Sequence, residues 1–332
     1  MNNIFIIFEL MGSSVVCKIC SEREDEKNKI SNDVSLSRQC RTSLMKIPII
    51  RENFNEKILK HKIIEGYGKI EYKNKSIYKG YLNNNYANGW GIYYHPLNGE
   101  YKGEYLNDQP NGFGIYNHIT NSNYEGYWKN EKQNGIGIEK WKDNSIYKGD
   151  FINGKKKGIG VYIFPNGRIY YGEWDENLMN GFGIYYFNNG DIYFGEWKNG
   201  IKNGYGEIYL KNNMFYLGFY QNNIQNGFFI YCKDNIEKIT IGFKLNGKIN
   251  GVCKTFDNNN NGKISLFYDG KKVKEINNKQ QMEFFFLEDN KKFLNYFLIS
   301  KEELKDYLLE KIKINDNREE LIKFFNQNNY FC

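Results

Sequence analysis

Proline and histidine are scarce in this chain of 332 residues, with 4 Pro and 3 His against 33 Gly. Glycine this abundant beside so little proline is placed position by position, not spent on a flexible linker. The histidines are His61, His95 and His118, and no nucleophile elbow, HExxH helix or kinase signature accompanies them. We therefore expect no enzyme, no cofactor and no metal. The six cysteines, Cys17, Cys20, Cys40, Cys232, Cys253 and Cys332, form no disulfide framework, which points to reduced thiols and a cytoplasmic or peripheral location. Long apolar runs are missing too. The stretch Ile4 to Phe8 ends at Glu9 without a basic segment before it, and nothing later approaches the 18 residues of a membrane span. A dense basic stripe is also absent. The net charge of +7 is made of 11 basic and 9 acidic residues in 1–65, 26 and 20 in 66–276, and 9 and 10 in 277–332. That modest surplus suits an acidic partner or an anionic membrane, and no nucleic-acid partner is expected.

What the chain does have is a period. Tyr78-Lys-Gly80 recurs as Tyr101/Gly103, Tyr124/Gly126, Tyr147/Gly149, Tyr170/Gly172 and Tyr193/Gly195, with Gly218 closing the series, at an unbroken spacing of 23. A second motif, Gly-x-Gly, keeps the same step at Gly66/Gly68, Gly89/Gly91, Gly112/Gly114, Gly135/Gly137, Gly158/Gly160, Gly181/Gly183 and Gly204/Gly206. A fixed period of this length marks a stacked array, in which each unit buries its apolar face only against its neighbours.

Within one unit, Tyr-x-Gly-x-aromatic has the period of a strand, with Tyr170, Gly172 and Trp174 on one face. The Asn- and Gly-rich stretch that follows is turn chemistry, and the Gly-x-Gly segment runs back, so one unit is one β-hairpin. Alternate glycines leave one face of the return strand bare, a socket for an aromatic ring from a neighbouring strand. The expected architecture is an all-β repeat array, an elongated single-layer antiparallel sheet of about eight hairpins over residues 66–276. Ahead of it lie a disordered tail over 1–50, whose charges and polar residues offset little ordering entropy, and a short helical or strand cap over 51–65. Ser300 with Glu303, and Asp316 with Glu319, form capping boxes ahead of apolar residues at helical spacing, so a helical cap is expected over 277–332.

The unit Tyr-x-Gly-x-aromatic, a turn, then Asn-Gly-x-Gly, repeated every 23 residues from 66 to about 252, resembles the MORN (membrane occupation and recognition nexus) repeat. The resemblance implies successive antiparallel hairpins and a role in assembly. Proteins of that family include junctophilins, the N-terminal region of plant phosphatidylinositol-4-phosphate 5-kinases, radial-spoke head proteins and cytoskeletal scaffolds of parasites.

Three weaker motifs resolve to structure. Gly149 to Lys156 nearly spells a phosphate-binding loop, but Lys156 stands where a Ser or Thr would ligate magnesium, and Gly149 is a repeat glycine. Asp257 to Ile264 begins like a calcium loop, yet its twelfth position is Tyr268 instead of Glu, so an Asn-rich turn is expected. Cys17-x-x-Cys20 lacks partners at zinc spacing. Were Met11 the start, its removal would expose Gly12 beside palmitoylatable Cys17 and Cys20, although Val16 stands where the acylation pattern wants Ser or Thr.

The expected function is a non-enzymatic scaffold offering an extended aromatic and basic surface to an unidentified protein partner, with an anionic phospholipid membrane as the second candidate. Lys79, Lys102 and Lys148 recur at one place in their units, and Lys155, Lys156 and Lys157 read as a basic turn; these six are the candidate lipid contacts. Together with the repeat-defining tyrosines and glycines they are the candidate site residues. The alternatives are a structural component of cilium or cytoskeleton that binds protein only, and an accessory of phosphoinositide signalling. No oligomeric state follows from the sequence.

Overall fold

The computed structural model describes residues 57–58, 65–211, 214–233, 237–256, 262–276 and 300–302. The chain divides into two compact units, Ser35–Gly181, and Phe182–Cys332 with Met1–Val34. In the first, strands Lys57–Ile58, Glu65–Tyr72, Ile77–Asn83, Tyr86–His95, Gly99–Leu106, Gln109–His118, Asn123–Lys129, Lys132–Lys140, Ile146–Ile152, Lys155–Ile163 and Ile169–Asp175 follow one another. Each pairs antiparallel with the next. Strand Leu178–Tyr186 carries the chain into the second unit. There Ile192–Lys198, Ile201–Leu210, Met214–Gln221, Ile224–Lys233, Lys238–Leu245, Lys248–Phe256, Gly262–Tyr268 and Lys271–Ile276 continue the same antiparallel succession. The fold is all-β, an open sheet of consecutive hairpins, as the period predicts. The expected tail over 1–50 lies outside the described residues. Of the expected C-terminal cap, Ser300 precedes two helical residues, Lys301 and Glu302, and the remainder lies outside the described residues.

Turn chemistry sets the hairpin register. Asn84 and Asn85 have φ of 49° and 61°, Asn107 and Asp108 51° and 66°, and Glu176 and Asn177 49° and 70°. Two successive residues at positive φ make the turn whose twist matches a hairpin, and Asn tolerates it better than other side chains. The second turn residue then reaches back one hairpin. The Asp108 carboxylate accepts from the Ala87 amide at 2.6 Å, while the Asp108 amide donates to the Ala87 carbonyl at 2.9 Å. Asn177 makes the same exchange with Lys156, and Asn223 with Lys202. These clamps tie successive hairpins together at the turn edge.

The core is an aromatic ladder on one face of the sheet. In the first unit edge-to-face contacts run Tyr78, Tyr105, Tyr101, Trp128, Tyr124, Phe151, Tyr147, Trp174, Tyr170, with ring centroids 4.8 to 5.5 Å apart. Each such pair contributes about 0.5–1.5 kcal/mol beyond its area. A Cβ built on Gly80 would fall 2.5 Å from the Tyr78 hydroxyl and 2.5 Å from the Gly91 Cα, so the ring of Tyr78 lies over its own strand's glycine and the one opposite. The Tyr hydroxyl explains why Phe does not fill this position. Tyr78 donates to the Tyr81 carbonyl at 2.9 Å, Tyr101 to Glu104 at 3.2 Å, and Tyr147 to Asp150 at 3.0 Å. Each acceptor sits where the ladder shifts register and leaves that carbonyl without its strand partner.

The two glycines of Gly-x-Gly divide the work, which corrects the expectation that both are sockets. The second, Gly91 or Gly114, is overlain by a tyrosine ring. The first lies inside the bulge at positive φ, 92° at Gly89 and 107° at Gly112, a conformation that a side chain would strain.

The repeat-defining tyrosines and most of their glycines lie in the core. Gly126 and Gly195 of the Tyr-x-Gly steps, and Gly137, Gly160, Gly183 and Gly206 of the Gly-x-Gly pairs, are all buried. Gly126 lies against Gly137, and Gly195 against Gly206, so closely that a Cβ on the first would fall 2.5 and 2.6 Å from the Cα of the second. The rings of Tyr124, Tyr147 and Tyr193 cover Gly137, Gly160 and Gly206 in turn. Gly183 accepts from the Trp197 indole through its carbonyl at 3.3 Å. The tyrosines of the motif, from Tyr78 to Tyr193, are fully buried as well. These buried residues build the core, whereas Gly89 and Gly158, first glycines of their pairs, are exposed.

Candidate binding surface

The ladder occupies one face, so the alternate residues of every strand form the other. Cross-strand register arranges them in rows. One row reads Lys69, Lys79, Ile92, Lys102, Ile115, Glu125, Ile138, Lys148, Val161 in the first unit. The structure therefore brings Lys79, Lys102 and Lys148 into line, separated by isoleucines and, between Lys102 and Lys148, by Glu125 as well.

Lys156 is placed differently from the expected basic turn. It is fully buried, with its ammonium 4.8 Å from the Trp141 ring centroid, 5.3 Å from Tyr147 and 5.7 Å from Tyr162. Its strand points it into the ladder, in the column that holds Ala87, Gln133, Met179 and Lys202 in other repeats, all buried. It cannot meet a lipid surface. The remaining lysines are partly neutralised. Lys155 pairs with Glu176, Lys157 with Asp175 at 2.8 Å, and Lys102 with Glu100 at 2.6 Å. The hydrogen bond to Asp175 raises the Lys157 pKa above the usual lysine value. Gly12, Cys17 and Cys20 lie outside the described residues.

A second row on this face escaped the sequence reading. The middle residue of each Gly-x-Gly is large and apolar: Tyr67, Trp90, Phe113, Ile136 and Ile159. Tyr67 and Ile136 are each 68% exposed, and Trp90 and Ile159 are exposed as well. Tyr81 and Tyr127 extend the row, packing edge to face with Tyr67 and Phe113 at 5.7 and 5.8 Å. Carboxylates stand opposite the others: Glu104 beside Trp90, Asp150 beside Ile136, Glu173 beside Ile159. Glu104 and Asp150 accept from the amides of Phe113 and Ile159 at 2.9 and 3.2 Å, which fixes their carboxylates beside the stripe. The signal was available, because an apolar residue between two glycines at every repeat has no socket of its own.

Among the described residues no group of three or more His, Cys, Asp or Glu side chains could hold a metal ion. An opening of about 490 Å³ is lined by Asn117, His118, Asn121, Lys140, Trp141 and Asn144 among others.

No curated protein matches the chain. Among solved structures, it is similar to the TCP10 domain of Danio rerio CPAP at 10% identity, covering 66% of this chain and 93% of that one with a TM-score of 0.31. It is likewise similar to the SAS-4 (dCPAP) TCP domain of Drosophila melanogaster, solved in complex with a proline-rich motif of Ana2 (dSTIL), at 15% identity, 50% and 89% coverage and a TM-score of 0.30. The MORN repeat family matches residues 101–117, 124–146, 147–167, 170–192 and 193–214. Five consecutive matches, in register with strands that start one or two residues ahead of the same tyrosines, identify MORN repeats within residues 101–214.

Proposed function

We propose that the chain is a non-enzymatic repeat scaffold that docks a protein partner on the outer face of its first unit. The observation that carries this is the exposed stripe of Tyr67, Tyr81, Trp90, Tyr127, Ile136 and Ile159 on the face opposite the core. A row of large exposed apolar side chains, interrupted here by Glu104 and Asp150, marks an interaction surface, and Trp and Tyr supply the anchors that dominate such interfaces. An anionic membrane is the lesser reading. Of six candidate lysines one is buried and three are held by carboxylates, and an ion-paired lysine contributes little attraction to a lipid surface.

Cross-linking of the full-length tagged chain in its native extract, set beside the Trp90→Glu variant, tests this. A protein joined to the parent and lost from the variant supports the proposal. Flotation of the parent with anionic vesicles in a salt-sensitive manner, with no protein cross-linked, would replace it with the membrane reading.

A further inference from the structure

On the outer face of the first unit each strand carries two neighbouring positions, one in the apolar stripe and one in the lysine row, about 6.8 Å apart. Their partnering along each strand is regular. Apolar residues share a strand with apolar residues: Trp90 with Ile92, Phe113 with Ile115 and Ile136 with Ile138. The carboxylates of the stripe share theirs with lysines, Glu104 with Lys102 and Asp150 with Lys148. Tyr67 and Tyr81 share theirs with Lys69 and Lys79, and Tyr127 with Glu125. The face runs from strand Glu65–Tyr72 to strand Ile146–Ile152, because Val161 on the next strand is 4% exposed. Over these strands the two rows hold four lysines and three carboxylates. A partner of a single sign is repelled by nearly half of them, whereas a face that carries its own complement two residues away suits itself.

We infer that this face docks a second copy of the chain, outer face to outer face, with both arrays running the same way. This rests on the docking reading above and names the partner. A two-fold axis laid along the rows, midway between them, sets every residue of one row against the residue two positions away on the same strand of the copy. Apolar then meets apolar at Trp90, Phe113 and Ile136. Glu104 and Asp150 meet Lys102 and Lys148, Tyr67 and Tyr81 each receive an ammonium, and the Tyr127 hydroxyl meets Glu125. Two-fold symmetry makes each match twice. Arrays running in opposite directions lose it: Lys69 meets Lys148, and a slip of one strand sets Lys79 on Lys148 or Glu104 on the copy's own Glu104. Lys69 and Lys102 also pair within the chain, with Glu71 and Glu100 at 2.5 and 2.6 Å. All four of those side chains are partly exposed, so the pairs hold weakly and can be shared with a carboxylate brought over them. Strands at about 4.8 Å and two rows of side chains cover roughly 38 by 14 Å, so two copies bury about 1,000 Å² in total, the size at which specific association begins.

Sedimentation equilibrium of the full-length chain from about 1 to 100 µM tests this, and the parent should form a dimer that dissociates on dilution. Lys102→Glu and Glu104→Lys should each self-associate at least about tenfold more weakly than the parent, while an equimolar mixture of the two should recover dimers, because each supplies the charge that the other has lost. Trp90→Glu should weaken the dimer by a similar factor at an unchanged melting temperature, since Trp90 is exposed. A parent that stays monomeric across the range overturns the second copy and leaves the docking face to the cross-linking result, in which a partner of different mass identifies another occupant. Charge variants that dimerise as the parent does, or a mixture of them that recovers nothing, overturn the face-to-face match. Dimerisation of Trp90→Glu at the parent's strength overturns the inference whatever the charge variants do.

Discussion

The ammonium of Lys156 lies 4.8 Å from the centroid of the Trp141 ring, inside the aromatic ladder that builds the fold. Glu139, also buried, stands across the strand from Tyr147, whose ring the same ammonium overlies. Met179 fills the equivalent place one repeat later. A buried cation over rings gains about 2 kcal/mol, which its desolvation cost largely offsets. Lys156→Met keeps the buried volume and should therefore cost less than Lys156→Ala, which also opens a cavity worth about 2–4 kcal/mol. Denaturant melts of the two variants check this, and equal losses would contradict it.

Tyr101 and Gly103 should be energetically coupled. Tyr101→Phe removes the hydrogen bond to the Glu104 carbonyl and should cost about 1 kcal/mol. Gly103→Ala places a methyl 2.5 Å from both the Tyr101 hydroxyl and the Gly114 Cα, and should cost about 1–3 kcal/mol by overpacking. Because both changes act on one hydroxyl, the double variant should lose less than the sum. A strictly additive cycle would mean that the ring does not seat on that glycine.

The turn clamp separates conformation from contact at Asn177. Asn177→Gly keeps the positive φ of 70° and loses only the side-chain bond to the Lys156 amide, whereas Asn177→Ala loses both. Alanine should be the costlier by about 1 kcal/mol. Thermal unfolding with glycine as damaging as alanine would assign the whole effect to the hydrogen bond.

The tyrosine core should make the fold alkali-sensitive. Burial pushes the Tyr116 hydroxyl up to about 12 and those of Tyr105 and Tyr193 well above the ordinary range. In the unfolded chain these groups ionise near 10. Below that pH both states keep their protons and the contribution is fully present. Above it only the unfolded state releases them, so stability falls by about 1.4 kcal/mol per pH unit for each such tyrosine until the folded pKa is reached. Urea titrations should give constant stability from pH 7 to 9 and a collapse between 10 and 12; unchanged stability at pH 11 would contradict the burial of these hydroxyls.

Much of this was legible in the sequence because the period fixes hairpin length and a Tyr two residues before Gly fixes which face each ring takes. The second glycine of each pair was legible for the same reason, since a ring needs a bare backbone. The first glycine was not, because the bulge that demands its positive φ arises only once the strands pair, with the single residue Tyr81 facing Asn88, Gly89 and Trp90. Lys156 was misplaced because three adjacent lysines suggest a solvated turn, although Ala87 and Met179 in its column show that the position faces inward. The outer stripe was legible only in part. A residue flanked by glycines has no neighbour on its own strand to cover it, but its alignment with Tyr81 and Tyr127 follows from cross-strand register alone.

The central claim is that one face of the first unit folds the protein and the other binds. Melting temperature and partner cross-linking measured on the same preparation of Ile136→Glu test it directly. The melting temperature should equal the parent's, because Ile136 is exposed, and the cross-linked partner should be lost. A melting temperature lowered by several degrees, or a partner retained at the parent's level, would contradict it.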